Sequence, residues 1–366
     1  MPIPYSNLFT SYQMELEQRS AVFTELGRQL KSILTRESEA SFAASTLIDA
    51  IDNAKNLNGW FTRDNVVHAI SCIADSLEEE KMSRWLKSYS KASLNRNSSM
   101  RIGVLMAGNI PLVGFHDMLC VLISGHHFVG KASSKDGTLI NAVAKLIIDI
   151  QPEFESSIEF EQNSFSSIDA IIATGSDNAS TYIQYYFDKY PNLIRKNRNS
   201  IAILTGNESQ QEIELLGEDI FRYFGLGCRN VSKIYVPVNY DFDKLFKGLF
   251  KYSNVVENNK YANNYDYNKA ILLLDKVQLL DNGFILLHED EQIASPVGTL
   301  HYEYYHSTKE VLKKLDQLYT GKVQCVVSND KTFPKAVTFG STQNPQLWEY
   351  ADGVDTLEFL NTLSDK

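Results

Sequence analysis

Four short apolar runs, separated by segments of helical length, are the strongest constraint on how this chain folds. They lie at residues 102–107, 128–130, 168–173 and 201–204. Strands that are buried on both faces of a parallel sheet have this character, and helices between them cover the sheet. The sequence therefore predicts an α/β fold with a doubly wound parallel sheet, whose ligands bind at the carboxyl ends of the strands.

The chain divides into parts with different periodicity. An apolar stripe at helical spacing, from Val66 to Ala74, predicts a helical amino-terminal segment, and the serine- and asparagine-rich stretch at residues 90–100 ends it. After Gly206 the pattern restarts with a helix at residues 210–224, followed by further strands. We expect a helical segment (1–95) packing on a dinucleotide-binding domain (96–205), a second α/β catalytic domain (206–335) and a returning carboxyl-terminal segment (336–366).

Composition excludes several functional classes. A net charge of −10 and a pI near 5.3 argue against a nucleic-acid partner, which would require a basic face. The four cysteines are widely spaced and form neither a C-x-x-C metal motif nor a disulfide framework, so no metal site is predicted. There is no signal-peptide pattern at the amino terminus and no apolar run of about 18 residues, so we expect a cytoplasmic protein with no membrane span.

A thiol in a glycine-flanked turn is the candidate nucleophile. Cys228 follows Gly225 and Gly227 and precedes an apolar strand at residues 233–238. Glycines allow the backbone to approach a substrate closely, and a thiolate there can attack a carbonyl while nearby amides stabilise the oxyanion. Since most free cysteines are small buried hydrophobic residues, a purely structural role for Cys228 is the alternative.

Four partial motifs occur in the order that one enzyme superfamily uses. They are G-K-A-S-S at residues 130–134, T-G-S at 174–176, G-x-x-C ending at Cys228 with Lys233 beyond it, and E-Q-I-A-S-P-V at 291–297. Together they resemble the aldehyde dehydrogenase superfamily. Within it, G-N-I-P at residues 108–111 and Q-N-P-Q-L-W at 343–348 are similar to LuxC-type acyl-CoA reductases. The resemblance covers roughly residues 100–360. It implies a Rossmann-type cofactor domain and a second α/β catalytic domain.

The resemblance also implies roles for individual residues. Cys228 is the nucleophile, and Asn109 holds the carbonyl oxygen together with the backbone N–H of the cysteine. The alternative for Asn109 is a structural one, in which it only turns the chain before Pro111. The implied cofactor-binding residues are Lys131, Ser133, Ser134, Gly175, Ser176 and Gln292.

Two differences from the superfamily pattern suggest the cofactor and the reaction. Ser134, with Lys135 beside it, stands where many NAD-preferring relatives have a glutamate, which favours NADPH, with NADH as the alternative. The glutamate that activates water in oxidising relatives is missing from residues 193–200, where the chain reads L-I-R-K-N-R-N-S. Arg195, Lys196 and Arg198 in this stretch either contact a phosphate or form a solvated turn.

The resemblance therefore implies an oxidoreductase that reduces an acyl-CoA, or an acyl-protein thioester, to an aldehyde through a Cys228 thioacyl-enzyme. LuxC-type relatives imply a fatty acyl group, a homo-oligomer and an acyl-transferring partner protein. Three alternatives remain at this point: a cysteine acyltransferase or thioesterase, an aldehyde dehydrogenase, and a non-catalytic member of the fold that binds an acyl group or serves as a scaffold.

Overall fold

The amino-terminal part of the chain is helical, as the sequence predicts. The computed structural model describes residues 14–35, 41–95, 99–133, 136–175, 177–318 and 321–363. The first helices are α1 (Leu16–Thr35), α2 (Phe42–Leu57), α3 (Arg63–Ser76), α4 (Glu79–Leu86) and α5 (Lys91–Leu94). Ser41 and Thr62 cap α2 and α3 by accepting hydrogen bonds from backbone N–H groups of the first turn.

A parallel sheet follows these helices. Its strands are β1 (Arg101–Leu105), β2 (His127–Lys131), β3 (Ile158–Phe160), β4 (Ala170–Thr174) and β5 (Asn192–Arg195), and its helices are α6 (Phe115–Ile123), α7 (Gly137–Ile150) and α8 (Asp177–Phe187). The strand order is β3-β2-β1-β4-β5, and every pairing between these strands is parallel. The predicted parallel sheet is confirmed. Its order reverses between β1 and β4, and such a reversal leaves a crevice at the carboxyl ends of the strands.

A second sheet occupies the remainder of the chain. Its strands are β6 (Asn199–Ile203), β7 (Val231–Pro237), β8 (Leu279–Asp281), β9 (Leu286–Glu289), β10 (Thr299–Tyr305) and β11 (Val323–Val327). The helices around it are α9 (Gln210–Phe221), α10 (Phe242–Leu249), α11 (Asn259–Leu274) and α12 (Thr308–Leu318), and α13 (Thr356–Thr362) ends the described chain. The order is β11-β6-β7-β10-β9-β8, parallel except that β8 is antiparallel to β9.

The apolar run at residues 201–204 belongs to the second sheet, although we had grouped it with the cofactor-binding domain. Ala202 pairs with Ile234 of β7 on one side and with Val327 of β11 on the other. The chain passes from one sheet to the other in the three residues between Arg195 and Asn199. Because this connection contains neither glycine nor proline, composition gave no signal of it.

Both ends of the described chain pack on the side of the first sheet. Side chains of α1, α2, α6, α7 and α13 share one buried apolar cluster with β1 and β2. The rings of Phe23 and Phe154 lie 6.0 Å apart, and the indole N–H of Trp85 donates to the Tyr350 hydroxyl over 2.7 Å. Among the described residues, no helix combines the length and the apolar character that crossing a bilayer requires.

Candidate active site

The turn that carries Cys228 has an unusual backbone. The helix predicted over residues 210–224 stops at Phe221, because Tyr223 (φ 54°), Phe224 (φ 58°) and Gly225 (φ 75°) are consecutive left-handed residues. For a residue with a side chain this conformation costs roughly 1–2 kcal/mol, so the surrounding structure must hold the turn in place.

Buried Asn230 provides that support. Its carboxamide nitrogen donates to the carbonyl oxygens of Arg222 (2.8 Å) and Asp219 (3.0 Å). Its side-chain oxygen accepts from the backbone N–H of Gly227 over 2.8 Å. A single side chain therefore joins the end of α9 to the residue before Cys228. The hydroxyl of Ser200 in β6 also donates to the Cys228 carbonyl over 3.0 Å.

Asn109 contacts this turn directly. It follows the last residue of β1 by four positions, and its carboxamide nitrogen donates to the carbonyl oxygen of Leu226 over 2.7 Å. Gly227 leaves room for the supporting Asn230 side chain, because a Cβ at this position would lie only 2.9 Å from its side-chain oxygen. The structure therefore brings the segment after β1 and the thiol turn together.

A buried carboxyl group holds the residues that follow Asn109. Oδ2 of Asp136, at the start of α7, accepts from the backbone N–H of Leu112 over 3.0 Å, and Leu112 has a left-handed φ of 57°. Burial raises the pKa of Asp136 to about 8, although the Leu112 hydrogen bond opposes this shift. The protonated form of Asp136 is therefore favoured near pH 7. Its hydrogen bond positions Leu112, which lines the same cavity as Cys228.

Cys228 lines a cavity of about 230 Å³. Apolar walls come from α3 (Ala69, Ile73) and from the loop before α6 (Ile110, Leu112, Val113). The polar lining includes His116, Arg195, Arg229, Gln343 and Glu349. The sequence analysis did not assign α3, His116 or Gln343 to the site. Two of them had a signal in the sequence: His116 lies in the first turn of the helix that follows β1, and Gln343 begins the Q-N-P-Q-L-W motif of the returning carboxyl-terminal segment.

Two of the lining residues are thiols, and they differ in their surroundings. Burial raises the pKa of Cys72 to about 11, and its sulfur lies 3.5 Å from Nε2 of His68. Burial also raises the pKa of Cys228. The strongest charge effect at Cys72 is that of the Asp75 carboxylate, which raises the pKa further and outweighs the opposing Arg222 guanidinium, whereas at Cys228 it is that of the adjacent Arg229 guanidinium, which opposes the shift. Since a neighbouring cation favours the thiolate, Cys228 is the better candidate nucleophile.

Arg195 does not lie in a solvated turn. It is buried at the end of β5, where its guanidinium donates to both carboxylate oxygens of Asp117 over 2.6 and 2.8 Å and to the Thr356 hydroxyl over 2.8 Å. Arg198 forms an ion pair with Asp352 over 3.1 Å. The solvated-turn interpretation of Arg195 was wrong, and the sequence carried no warning because its partner Asp117 lies 78 residues earlier in the chain.

The predicted cofactor residues fall in two places. Lys131 ends β2, Ser133 follows it, and Gly175 follows β4, all at the carboxyl edge of the first sheet, near the reversal of strand order. The ammonium group of Lys131 donates to the carbonyl of Asn163. Gln292 is exposed in the loop between β9 and β10 and is not among the described residues that line the Cys228 cavity. Ser134 and Ser176, and Lys135 with them, lie outside the described residues.

Comparisons with known proteins agree with this architecture. A family model described as acyl-CoA reductase (LuxC) matches residues 28–244, more than half of the chain. The chain is 22% identical over 255 residues to the long-chain acyl-protein thioester reductase of Aliivibrio fischeri, which covers 61% of this chain and 52% of that protein. It is 25% identical over 219 residues to the enzyme of the same name from Photorhabdus laumondii, covering 54% and 44%. The chain thus spans about half the length of the curated relatives it matches.

Solved structures support the fold. Aldehyde dehydrogenase 21 from Physcomitrella patens matches with a TM-score of 0.66 at 13% identity, covering 96% of this chain and 84% of that one. An NAD⁺ complex of aldehyde dehydrogenase from Bacillus cereus matches with a TM-score of 0.59 at 13% identity, covering 89% and 76%. These matches confirm the predicted aldehyde dehydrogenase fold.

Proposed function

Because the chain belongs to the acyl-CoA reductase (LuxC) family, we propose that it reduces a fatty acyl thioester to an aldehyde through a thioacyl group on Cys228. One observation carries the proposal. The Asn109 carboxamide, at the carboxyl end of the first sheet, bonds to the turn that holds the Cys228 thiol over 2.7 Å. In this proposal the first sheet binds the cofactor and the second sheet carries the nucleophile, and the two meet at this contact.

Cys228 and Asn109 have complementary roles in the proposed reaction. The thiolate of Cys228 attacks the thioester carbonyl, and the bond from the acyl carbon to the donor's sulfur breaks, so the donor leaves as a thiolate and takes up a proton from solvent. The second N–H of the Asn109 carboxamide and the backbone N–H of Cys228 donate to the carbonyl oxygen as it becomes negative. After reduction, release of the aldehyde restores the Cys228 thiol.

The residues at the carboxyl edge of the first sheet fit a dinucleotide. Ligands of such sheets bind where the strand order reverses, which here lies between β1 and β4. Gly175 follows β4 at this point, and Lys131 lies at the end of β2, on the other side of β1. NADPH, when bound, supplies a hydride to the acyl carbon. The choice of NADPH over NADH depends on Ser134 and Lys135, whose hydroxyl and cation suit a 2′-phosphate better than a glutamate would.

The cavity supports an apolar acyl group. Ala69 and Ile73 of α3 face Ile110 and Leu112 across a space that also contains the thiol. Burying an acyl chain against such walls is favourable by about 0.8 kcal/mol per methylene group. The curated relatives are named acyl-protein thioester reductases, so both acyl-CoA and an acyl-protein thioester are proposed donors.

The test follows cofactor oxidation and the acyl adduct separately. The protein is mixed with NADPH and with acyl-CoA or acyl-carrier-protein thioesters of increasing chain length, and nicotinamide absorbance and aldehyde are recorded. Without NADPH, intact mass and peptide mapping locate the adduct. We expect an adduct on Cys228, and aldehyde formation that Cys228→Ser abolishes.

Cys72→Ser is the matched control, since it removes the second thiol of the same cavity and should retain turnover. An adduct on Cys72 in place of Cys228 would refute the role of Cys228 as the nucleophile. Acyl transfer from Cys228 to water or another acceptor, with no cofactor consumed, would establish a thioesterase or acyltransferase and refute the reductase.

A further inference from the structure

Three side chains with metal-binding atoms lie together on the second sheet. A nitrogen of His288, a carboxylate oxygen of Asp290 and a nitrogen of His301 all lie within 4.8 Å of one another. His288 and His301 are direct neighbours in the parallel register of β9 and β10. Asp290 stands two residues after His288, and its backbone N–H still bonds to Tyr302 in β10 over 3.2 Å. Alternate residues of a strand face the same way, so the backbone itself places all three on one face.

We propose that His288, Asp290 and His301 form a Zn²⁺ site. Two imidazole nitrogens and one carboxylate oxygen are a ligand set that Zn²⁺ accepts, and three protein ligands leave a fourth position for water. In a tetrahedral site with bonds of about 2.0–2.2 Å the ligand atoms lie about 3.3 Å apart. The three ligand atoms must therefore move closer together to bind the ion. Rotation of the side chains can achieve this, since the strands already hold the backbones of the three residues in register.

Hydrogen bonds with the backbone of Gln292 orient two of the three proposed ligands. Nδ1 of His301 lies 2.9 Å from the Gln292 carbonyl oxygen, which makes Nδ1 the protonated nitrogen and leaves Nε2 to bind a metal. Oδ1 of Asp290 accepts from the Gln292 backbone N–H over 2.7 Å, and its second oxygen remains for coordination. A histidine that donates its other ring N–H to a backbone carbonyl is the usual outer-shell arrangement at metal sites.

The surroundings are acidic, which favours a cation. The hollow that adjoins the cluster is lined by Glu289, Asp290, Glu291, Gln292, Glu303 and Tyr304. Lys233 is the cross-strand neighbour of His301 on its other side, in β7. Its ammonium group is neutralised by Glu303 over 2.6 Å and bonds to the Glu291 carbonyl over 2.8 Å. The positive charge nearest to the cluster is therefore compensated.

This site goes beyond the proposed reduction and does not depend on it. The sequence analysis predicted no metal, because the ligands come from two strands and match no contiguous motif. Zn²⁺ here would join β9 to β10 and fix the loop between them, which includes Gln292. None of the three ligands lines the Cys228 cavity.

The test uses the full chain, freed of metal with a chelator. Zn²⁺ binding is measured by isothermal titration, and Co²⁺ serves as a spectroscopic probe. We expect one Zn²⁺ per chain, a rise in melting temperature on binding, and the visible absorption of tetrahedral Co²⁺ with nitrogen and oxygen ligands. Asp290→Asn and His301→Gln should weaken binding by at least about 10- to 100-fold, the loss seen even when an outer-shell partner is removed.

His306→Gln is the matched control, because His306 is exposed just beyond β10 and should leave the affinity unchanged. Circular dichroism checks that each variant is folded. Because Asp290 is only half-buried whereas the two histidines are buried, Asp290→Asn should disturb the core least. Equal affinity in Asp290→Asn and the wild type, no saturable binding by the wild type, or a thiolate-to-Co²⁺ charge-transfer band would each overturn the proposal.

Discussion

The carboxamide nitrogen of Asn109 lies 2.7 Å from the carbonyl oxygen of Leu226, two residues before Cys228. This contact joins the carboxyl end of β1 to the turn of the proposed nucleophile. A carboxamide carries two N–H groups, so the bond to Leu226 fixes the orientation of Asn109 and leaves its second N–H for a substrate oxygen.

We predict that Asn109→Ala lowers kcat by about 10²- to 10³-fold, because one donor to the developing oxyanion is lost. KM for the acyl thioester should change far less, since that donor acts most strongly on the transition state. Steady-state kinetics with NADPH and an acyl-CoA measures both constants.

Asn53→Ala, on the exposed face of α2, is the matched control and should have wild-type kinetics. If Asn109→Ala kept its kcat while unfolding at lower denaturant, Asn109 would be a structural residue of the turn and its assigned role would be wrong.

A second prediction concerns the reactivity of the Cys228 thiol. The Arg229 guanidinium counteracts the rise in the pKa of Cys228 that burial causes. Arg229→Gln therefore raises the pKa of Cys228 further and lowers the fraction of thiolate at any pH below that pKa. Alkylation of Cys228 by iodoacetamide, followed by peptide mass spectrometry, should become several-fold slower at pH 7.5, with the rate profile shifted to higher pH.

Arg63→Gln removes another arginine, which pairs with Asp52 at the surface, and should leave the profile unchanged. Arg229 also contacts Cys325 (3.3 Å) and the Glu349 carbonyl (3.2 Å). Alkylation of Cys325 is therefore followed in the same peptide maps. Slower alkylation of both Cys228 and Cys325 is consistent with loss of the cation. A pH profile for Cys228 that does not shift would contradict the prediction.

The first sheet could be predicted because each of its inner strands is buried on both faces and therefore reads as an unbroken apolar run. β5 could not, since it ends in Arg195, a charge that is buried only because Asp117 is folded against it. The apolar stripe of α3 predicted the helix correctly. Its period does not distinguish side chains that pack on a core from Ala69 and Ile73, which line a cavity.

Candidate site residues could be named from the sequence only where a local pattern carries the proposed chemistry. Cys228 and Asn109 each stand in a recognisable segment, and their segments meet. Asn230, which holds the thiol turn, gave no signal, because an asparagine in a turn is common and its bonds to Arg222 and Asp219 appear only after folding. The metal-binding cluster was hidden for the same reason, since its ligands come from two paired strands.

The last prediction concerns Asp136 and the pH dependence of stability. Its pKa is about 8 in the folded protein against 3.8 for an ordinary aspartate, because it is buried. A raised pKa means that the folded state keeps the proton which the unfolded chain loses near pH 4. The stabilising effect is complete below that pH and is lost as pH rises to about 8. At about 1.4 kcal/mol per pKa unit, the roughly three units between pH 5 and pH 8 correspond to about 4 kcal/mol.

Asp136→Asn keeps an oxygen that can accept from Leu112 and cannot ionise. The free energy of unfolding is measured by urea denaturation for Asp136→Asn and for the wild type. The value for Asp136→Asn minus the value for the wild type should rise by about 4 kcal/mol from pH 5 to pH 9. Asp49→Asn, on the exposed face of α2, should show no such gain and is the matched control. A constant difference between Asp136→Asn and the wild type across this range would mean that Asp136 is ionised in the folded protein at neutral pH, with a charged partner that compensates its burial.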